Sequence, residues 1–161
     1  MFAFDSRPRL SSAPSSGVGA FPALQRLASR LDYSTEETNF TLGLSKLSAD
    51  VRRRSLIVVF TDIADPTSAE LMIENIGRLA KKHLILFVAI RDQELDDLTT
   101  AAPERMMDAT RSVIAHSLLQ EREVVLARLE RLGVDLVDAP AASLGPDLLN
   151  HYLEVKHTGR L

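Results

Sequence analysis

Cysteine is absent from this chain of 161 residues. Its absence excludes disulfides, thiolate nucleophiles and thiolate metal sites, and it fits a reducing compartment. No apolar segment approaches the roughly 20 residues needed to cross a bilayer, so the chain carries no membrane segment of that kind. The opening MFAFDSRPRL is too short in its apolar part, and charged too soon, for a signal peptide. The chain as it stands reads as cytoplasmic. An excess of positive charge is missing too. The formal net charge is −3, which gives no broad cationic field for nucleic acid. The seven glycines are scattered and form no phosphate-cradling loop. There is no Gly-x-Ser-x-Gly elbow and no Ser/His/Asp order that suggests a hydrolase triad. His83, His116, His151 and His157 stand at unrelated spacings, none as an i,i+4 zinc pair, and read as structural or solvated.

What is present is ordinary for a globular protein: 45% hydrophobic and 25% charged residues, in a length that suits one domain with a real core. The most informative stretch is Ser55 to Pro66, SLIVVFTDIADP. Leu56 to Thr61 is a continuous run of apolar and β-favouring residues, the pattern of a strand buried on both faces in a parallel sheet. Asp62 then falls at the carboxyl end of a central strand, where open α/β sheets bind ligands. Asp65 is placed to cap the next helix and Pro66 to open it.

Met1–Phe4 reads as a strand and Arg7–Gly19 as a loop rich in Ser, Pro and Gly. Phe21, Leu24, Leu27, Ala28 and Leu31 share one helical face, as do Phe40, Leu44, Leu47 and Val51. The second stripe ends in Arg52-Arg53-Arg54, which suits a helix C-terminus better than a nucleic-acid or lipid patch. Met72, Ile73, Ile76, Leu79 and Ala80 mark the helix from about Pro66, with Glu74 and Arg78 set to pair on its wet side. Leu84–Ile90 is a second buried strand ending in Arg91 and Asp92. Pro103–Leu132 has a helical stripe of Met107, Ile114, Leu118, Val125, Leu129 and Leu132. At about 1.5 Å per residue it is long for such a domain and predicts a bend. Met106 and Met107 read as core filling, and Gly133 as the stop. Val134–Val137 predicts a short strand, Asp138–Gly145 a loop, and Pro146–Val155 a last helix with Leu148, Leu149, Tyr152 and Val155 inward, before a polar tail. The alternation predicts an α/β fold, a doubly wound and mainly parallel sheet with helices on both faces.

Four segments carry a family resemblance: FAFDSRPRL, ETNFTLGLSKL, RRRSLIVVFTDIADP, and the closing RLGVDLVDAPAASLGPDLLNHYLEVKHTGRL. Together they resemble the back part of a von Willebrand factor A-like domain. More narrowly, they resemble the bacterial family labelled domain-of-unknown-function fifty-eight, whose members accompany MoxR-type AAA+ ATPases and are usually membrane-anchored. In A-type domains three loops build a metal-ion-dependent adhesion site: an Asp-x-Ser-x-Ser loop, a Thr and an Asp. Thr38 matches the second loop and Asp62 the third. The first strand and the first metal loop have no counterpart here. The resemblance therefore implies a single truncated A-like domain over residues 1–161, with Rossmann-like topology and an incomplete site. Any magnesium would be weakly held, because it prefers six oxygens in octahedral array. The bland readings are Thr38 as a helix cap and Asp62 as a turn residue.

The expected function is a non-catalytic protein-interaction module acting with a MoxR-type AAA+ ATPase. The alternative is an enzyme that uses strand-end Asp62 for phosphoacceptance or metal-assisted hydrolysis. That alternative lacks an oriented base, a second acidic pair and a phosphate cradle.

Overall fold

The computed structural model describes residues 1–63, 66–100 and 105–160, with only the backbone of residues 66 and 67. Contacts divide the chain into two compact units, Met1–Arg52 and Arg53–Leu161.

The first unit opens with a hairpin of β1 (Phe2–Phe4) and β2 (Pro8–Ser11), paired antiparallel with Phe2 opposite Ser11. Strand β2 lies inside the segment predicted to be loop. Its proline sits at the first strand position, where a missing N–H costs least. Helix α1 (Ala20–Ala28) buries none of its residues fully: Leu24 and Leu27 of its expected apolar face are half-buried, while Phe21 is 73% exposed. Helix α2 (Phe40–Asp50) buries Phe40, Gly43 and Leu44. The Phe4 ring meets Phe40 edge-on, with centroids 6.0 Å apart. It also lies so close over Gly43 that a Cβ there would overlap the ring.

In the second unit, β3 (Leu56–Phe60), β4 (Leu84–Arg91) and β5 (Asp135–Pro140) form a three-stranded parallel sheet in the order β3-β4-β5. Leu56 lies opposite Leu84, and Leu86 opposite Asp135. Leu84 to Ala89 are all buried, so β4 is covered on both faces, as its apolar run predicts. Strand β3 departs from the same expectation. It is an edge of this sheet, not its centre, and Val58 and Phe60 are 38% and 60% exposed.

Helix α3 (Pro66–Ala80) opens at Pro66 as predicted, whereas Asp65, its expected cap, lies outside the described residues. Met72, Ile73, Ile76 and Leu79 are buried, and Glu74 pairs with Arg78. Helix α4 (Gln93–Thr100) has no counterpart in the sequence reading. It starts where the Asp92 carboxylate accepts the Glu94 N–H at 2.9 Å, a side-chain cap for an otherwise polar segment.

Helix α5 (Met106–Arg131) is one continuous element of 26 residues; Pro103, its predicted start, is outside the described residues. Its C-terminal half buries Val125, Leu126 and Leu129. In the N-terminal half only Ala115 is buried. Met106 and Met107 are 89% and 66% exposed, so they do not fill a core. Gly133 ends the helix at φ +79°, with its N–H bonded to the Glu130 carbonyl and the Val134 N–H to that of Leu129. This is the left-handed stop that glycine alone adopts freely. Nothing crowds the position, so Gly133→Ala is expected to cost about 1 kcal/mol from backbone strain alone. The measurement is a lower denaturant midpoint with an unchanged slope.

Helix α6 (Leu144–His157) covers one face of the sheet: Leu144 and Leu148 pack on Leu86, Val88, Val137 and Ala139. Alternation sends Asp138 to the opposite face, where it meets Arg122 of α5. Of the four residues predicted to face inward on α6, Val155 is buried and Leu148 is partly buried in this packing, while Leu149 and Tyr152 are exposed. The chain then turns at Gly159, φ +63°, and Arg160 returns to clamp the Asp135 carboxylate through three hydrogen bonds of 2.9–3.1 Å. Asp135 of the Gly-Val-Asp segment and Arg160 of the chain's end are thus physically joined.

Candidate binding pocket at the carboxyl edge of the sheet

Parallel strands aim their carboxyl ends at one edge, and the loops leaving them there collect ligand-facing groups. In the second unit this edge holds a cavity of about 440 Å³. Asp62 and Ile63 follow β3, Ile90 and Arg91 end β4 with Asp92 just beyond, α4 adds Leu95, and α5 from Ser117 to Arg128 closes the far wall. Ile63, Ile90, Leu95, Leu118, Val124 and Val125 make much of the lining apolar.

The wall is held by one carboxylate. Asp138 accepts from both guanidinium nitrogens of Arg122, at 3.1 and 2.9 Å, and from Arg91 at 3.2 Å. Arg122 also donates to the Ile90 carbonyl at 3.3 Å, so a single side chain ties α5 to the ends of β4 and β5. Bidentate pairing of this kind is both stronger and more directional than a point contact. Burial alone would raise the Asp138 pKa, but the hydrogen bonds from Arg122 and Arg91 outweigh it and hold the carboxyl below its ordinary value. The same contact with Asp138 raises Arg91. Nearer the rim, Arg128 forks onto Glu70 of α3, and that hydrogen bond lowers the Glu70 pKa.

Asp62 lies at this edge, two residues beyond β3, as its strand-end position predicts. Its side chain is exposed and accepts the Ile63 N–H at 2.7 Å, the local turn role. Thr38 belongs to the first unit, is exposed, and does not cap α2. Asn39 does, accepting the Leu42 N–H at 2.9 Å. Both residues are good caps, and the difference is one position of register. Arg122, Arg128 and Asp138 had no signal in local pattern, because each acts through a partner at least 16 residues away. Arg91 was visible only as a polar residue ending a strand.

No protein-family model matches the chain, and no curated protein or solved structure is significantly similar to it.

Proposed function

We propose that this chain is a non-catalytic protein-interaction module of the von Willebrand factor A-like kind, which docks a partner at the carboxyl edge of its parallel sheet. The observation that carries the reading is the half-open, largely apolar pocket beside Asp62. Its arginines are already tied to internal carboxylates and serve as wall and rim, not as groups waiting for a reacting atom. The resemblance names the partner class, a MoxR-type AAA+ ATPase.

The donor set does not fit a tight magnesium cage. Among the described residues no three carboxylates or imidazoles converge on one point. Within the second unit a magnesium ion would draw on Asp62 and fill most of its six positions with water. Docking therefore rests on the pocket and needs no metal.

The test is capture of a MoxR-type ATPase by the purified chain, with and without chelator. Capture is expected to survive chelation and to be lost in Ile90→Asp and Leu118→Asp. Both residues line the pocket and are 52% and 44% exposed, so these substitutions leave the core intact. Capture abolished by chelator and by Asp62→Ala would replace this reading with the metal-dependent one. Capture indifferent to every pocket substitution would place docking elsewhere.

A further inference from the structure

The pocket has an uneven charge account, and the imbalance specifies its occupant. Arg91 and Arg122 share Asp138, and Arg128 is matched by Glu70. Three lining carboxylates remain, Asp62, Asp92 and Glu121, and none makes an ion pair with any of the described residues. Asp62 and Asp92 each use one oxygen on a neighbouring backbone N–H, at 2.7 and 2.9 Å, and so keep the other for a ligand. Arg122, by contrast, is committed, only 13% exposed and forked onto Asp138, and Arg128 is held by Glu70, whereas Arg91 is 45% exposed with a single contact at 3.2 Å; with Asp138 included, the carboxylates outnumber the arginines by two. Lining the same pocket are Ile90, Leu118 and Val124, each 44–59% exposed.

A phosphate or an acidic peptide would meet uncompensated negative charge here. A water-filled cleft would leave the aliphatic wall solvated at a cost of about 25 cal/mol per Å². We infer that the pocket recognises a basic–apolar protein segment: an arginine or lysine whose head group pairs with one of the free carboxylates Asp62, Asp92 or Glu121 while a neighbouring branched side chain fills the Ile90–Leu118–Val124 wall. Long cationic side chains suit such a site because their stems cover apolar surface while the charged end stays at the acids. This rests on the docking role proposed above and adds the chemistry of what docks. It is opposite in sign to metal-bridged docking, in which the partner supplies a carboxylate.

Two five-residue peptides separate the outcomes, acetyl-Gly-Leu-Arg-Leu-Gly-amide and the same peptide with glutamate in place of arginine. Each is titrated into the isotope-labelled full chain and followed by amide shifts. The arginine peptide is expected to move the Ile63, Arg91 and Leu118 signals and to bind about ten-fold more tightly than the glutamate peptide, as charge-assisted pairing implies. Added salt should shrink the difference, since the acids are exposed. The triple variant Asp62→Asn, Asp92→Asn, Glu121→Gln should keep its fold and lose the preference. Equal binding of the two peptides overturns the inference, as does preference for the glutamate peptide in magnesium. Failure of both peptides overturns it as well. Ile90- and Leu118-dependent capture of the ATPase is read separately, so loss of the basic–apolar rule leaves the docking role to stand or fall by its own test.

Discussion

Removing Pro146 to Leu161 is expected to abolish the cooperative thermal transition of the second unit. The cut takes away most of α6 and with it Leu148, which packs with Leu144 over Leu86, Val88, Val137 and Ala139. It also removes Val155, which is 1% exposed. Each lost aliphatic side chain costs roughly 1.5–3 kcal/mol of burial, and the apolar sheet face beneath turns to water as well. Domains of this size hold only about 5–15 kcal/mol in total, so the sum is comparable to the whole. The Arg160 clamp on Asp135 goes at the same time, opening the start of β5. Circular dichroism melts of the two chains decide the matter, and an unchanged midpoint would mean that α6 is an appendage. Leu149→Ala is the matched control. At 57% exposure Leu149 sits outside the packing and should change stability by no more than about 0.5 kcal/mol.

The contrast between Leu148 and Leu149 shows where sequence pattern stops informing. Both are leucines at adjacent positions of a helix that was expected to turn both inward; helical spacing defines a stripe, and only the packed sheet decides how wide it is. The two apolar strands teach the same lesson. Leu56–Phe60 and Leu84–Ile90 look alike as runs, but β4 has a neighbour on each side in its sheet and β3 has one. Strand order is a property of pairing partners far along the chain and leaves no local mark. Helix α4 escaped notice because QELDDLTT offers only Leu95 and Leu98 as apolar anchors, too few to set a period. In α5 the stripe of Met107, Ile114 and Leu118 is real, but no described element buries those residues.

Asp62 was readable because strand ends in parallel sheets carry ligand-facing residues whatever the family. Gly133 was readable because a left-handed stop needs a glycine. Arg122 was not, since nothing in a charged helical residue announces a carboxylate on the next strand.

That same Arg122–Asp138 pair sets the second large expected effect. Asp138→Ala should destabilise the second unit by about 2–3 kcal/mol, somewhat less than the about 3–5 kcal/mol seen when a fully buried pair is broken. The discount follows from exposure, since the Asp138 and Arg122 side chains are 25% and 13% exposed. The cost arises because Arg122 keeps only the Ile90 carbonyl as a fixed partner, while Arg91 loses its anchor altogether. The pH dependence has a definite sign. The folded Asp138 pKa is lower than the ordinary aspartate value of 3.8, so the unfolded chain binds the proton more readily. The stabilisation is therefore complete above that value and disappears as pH falls through the lower, folded pKa. Glu70 is lowered in the same direction by Arg128, so a Glu70→Gln background isolates the Asp138 contribution. In that background the Asp138→Ala chain should lose less stability on acidification than its parent. The double variant Arg122→Ala, Asp138→Ala should be more stable than the sum of the single losses, because removing both partners strands neither charge. Strict additivity of the two losses, together with identical acid slopes, would show that the pair does not hold the pocket wall.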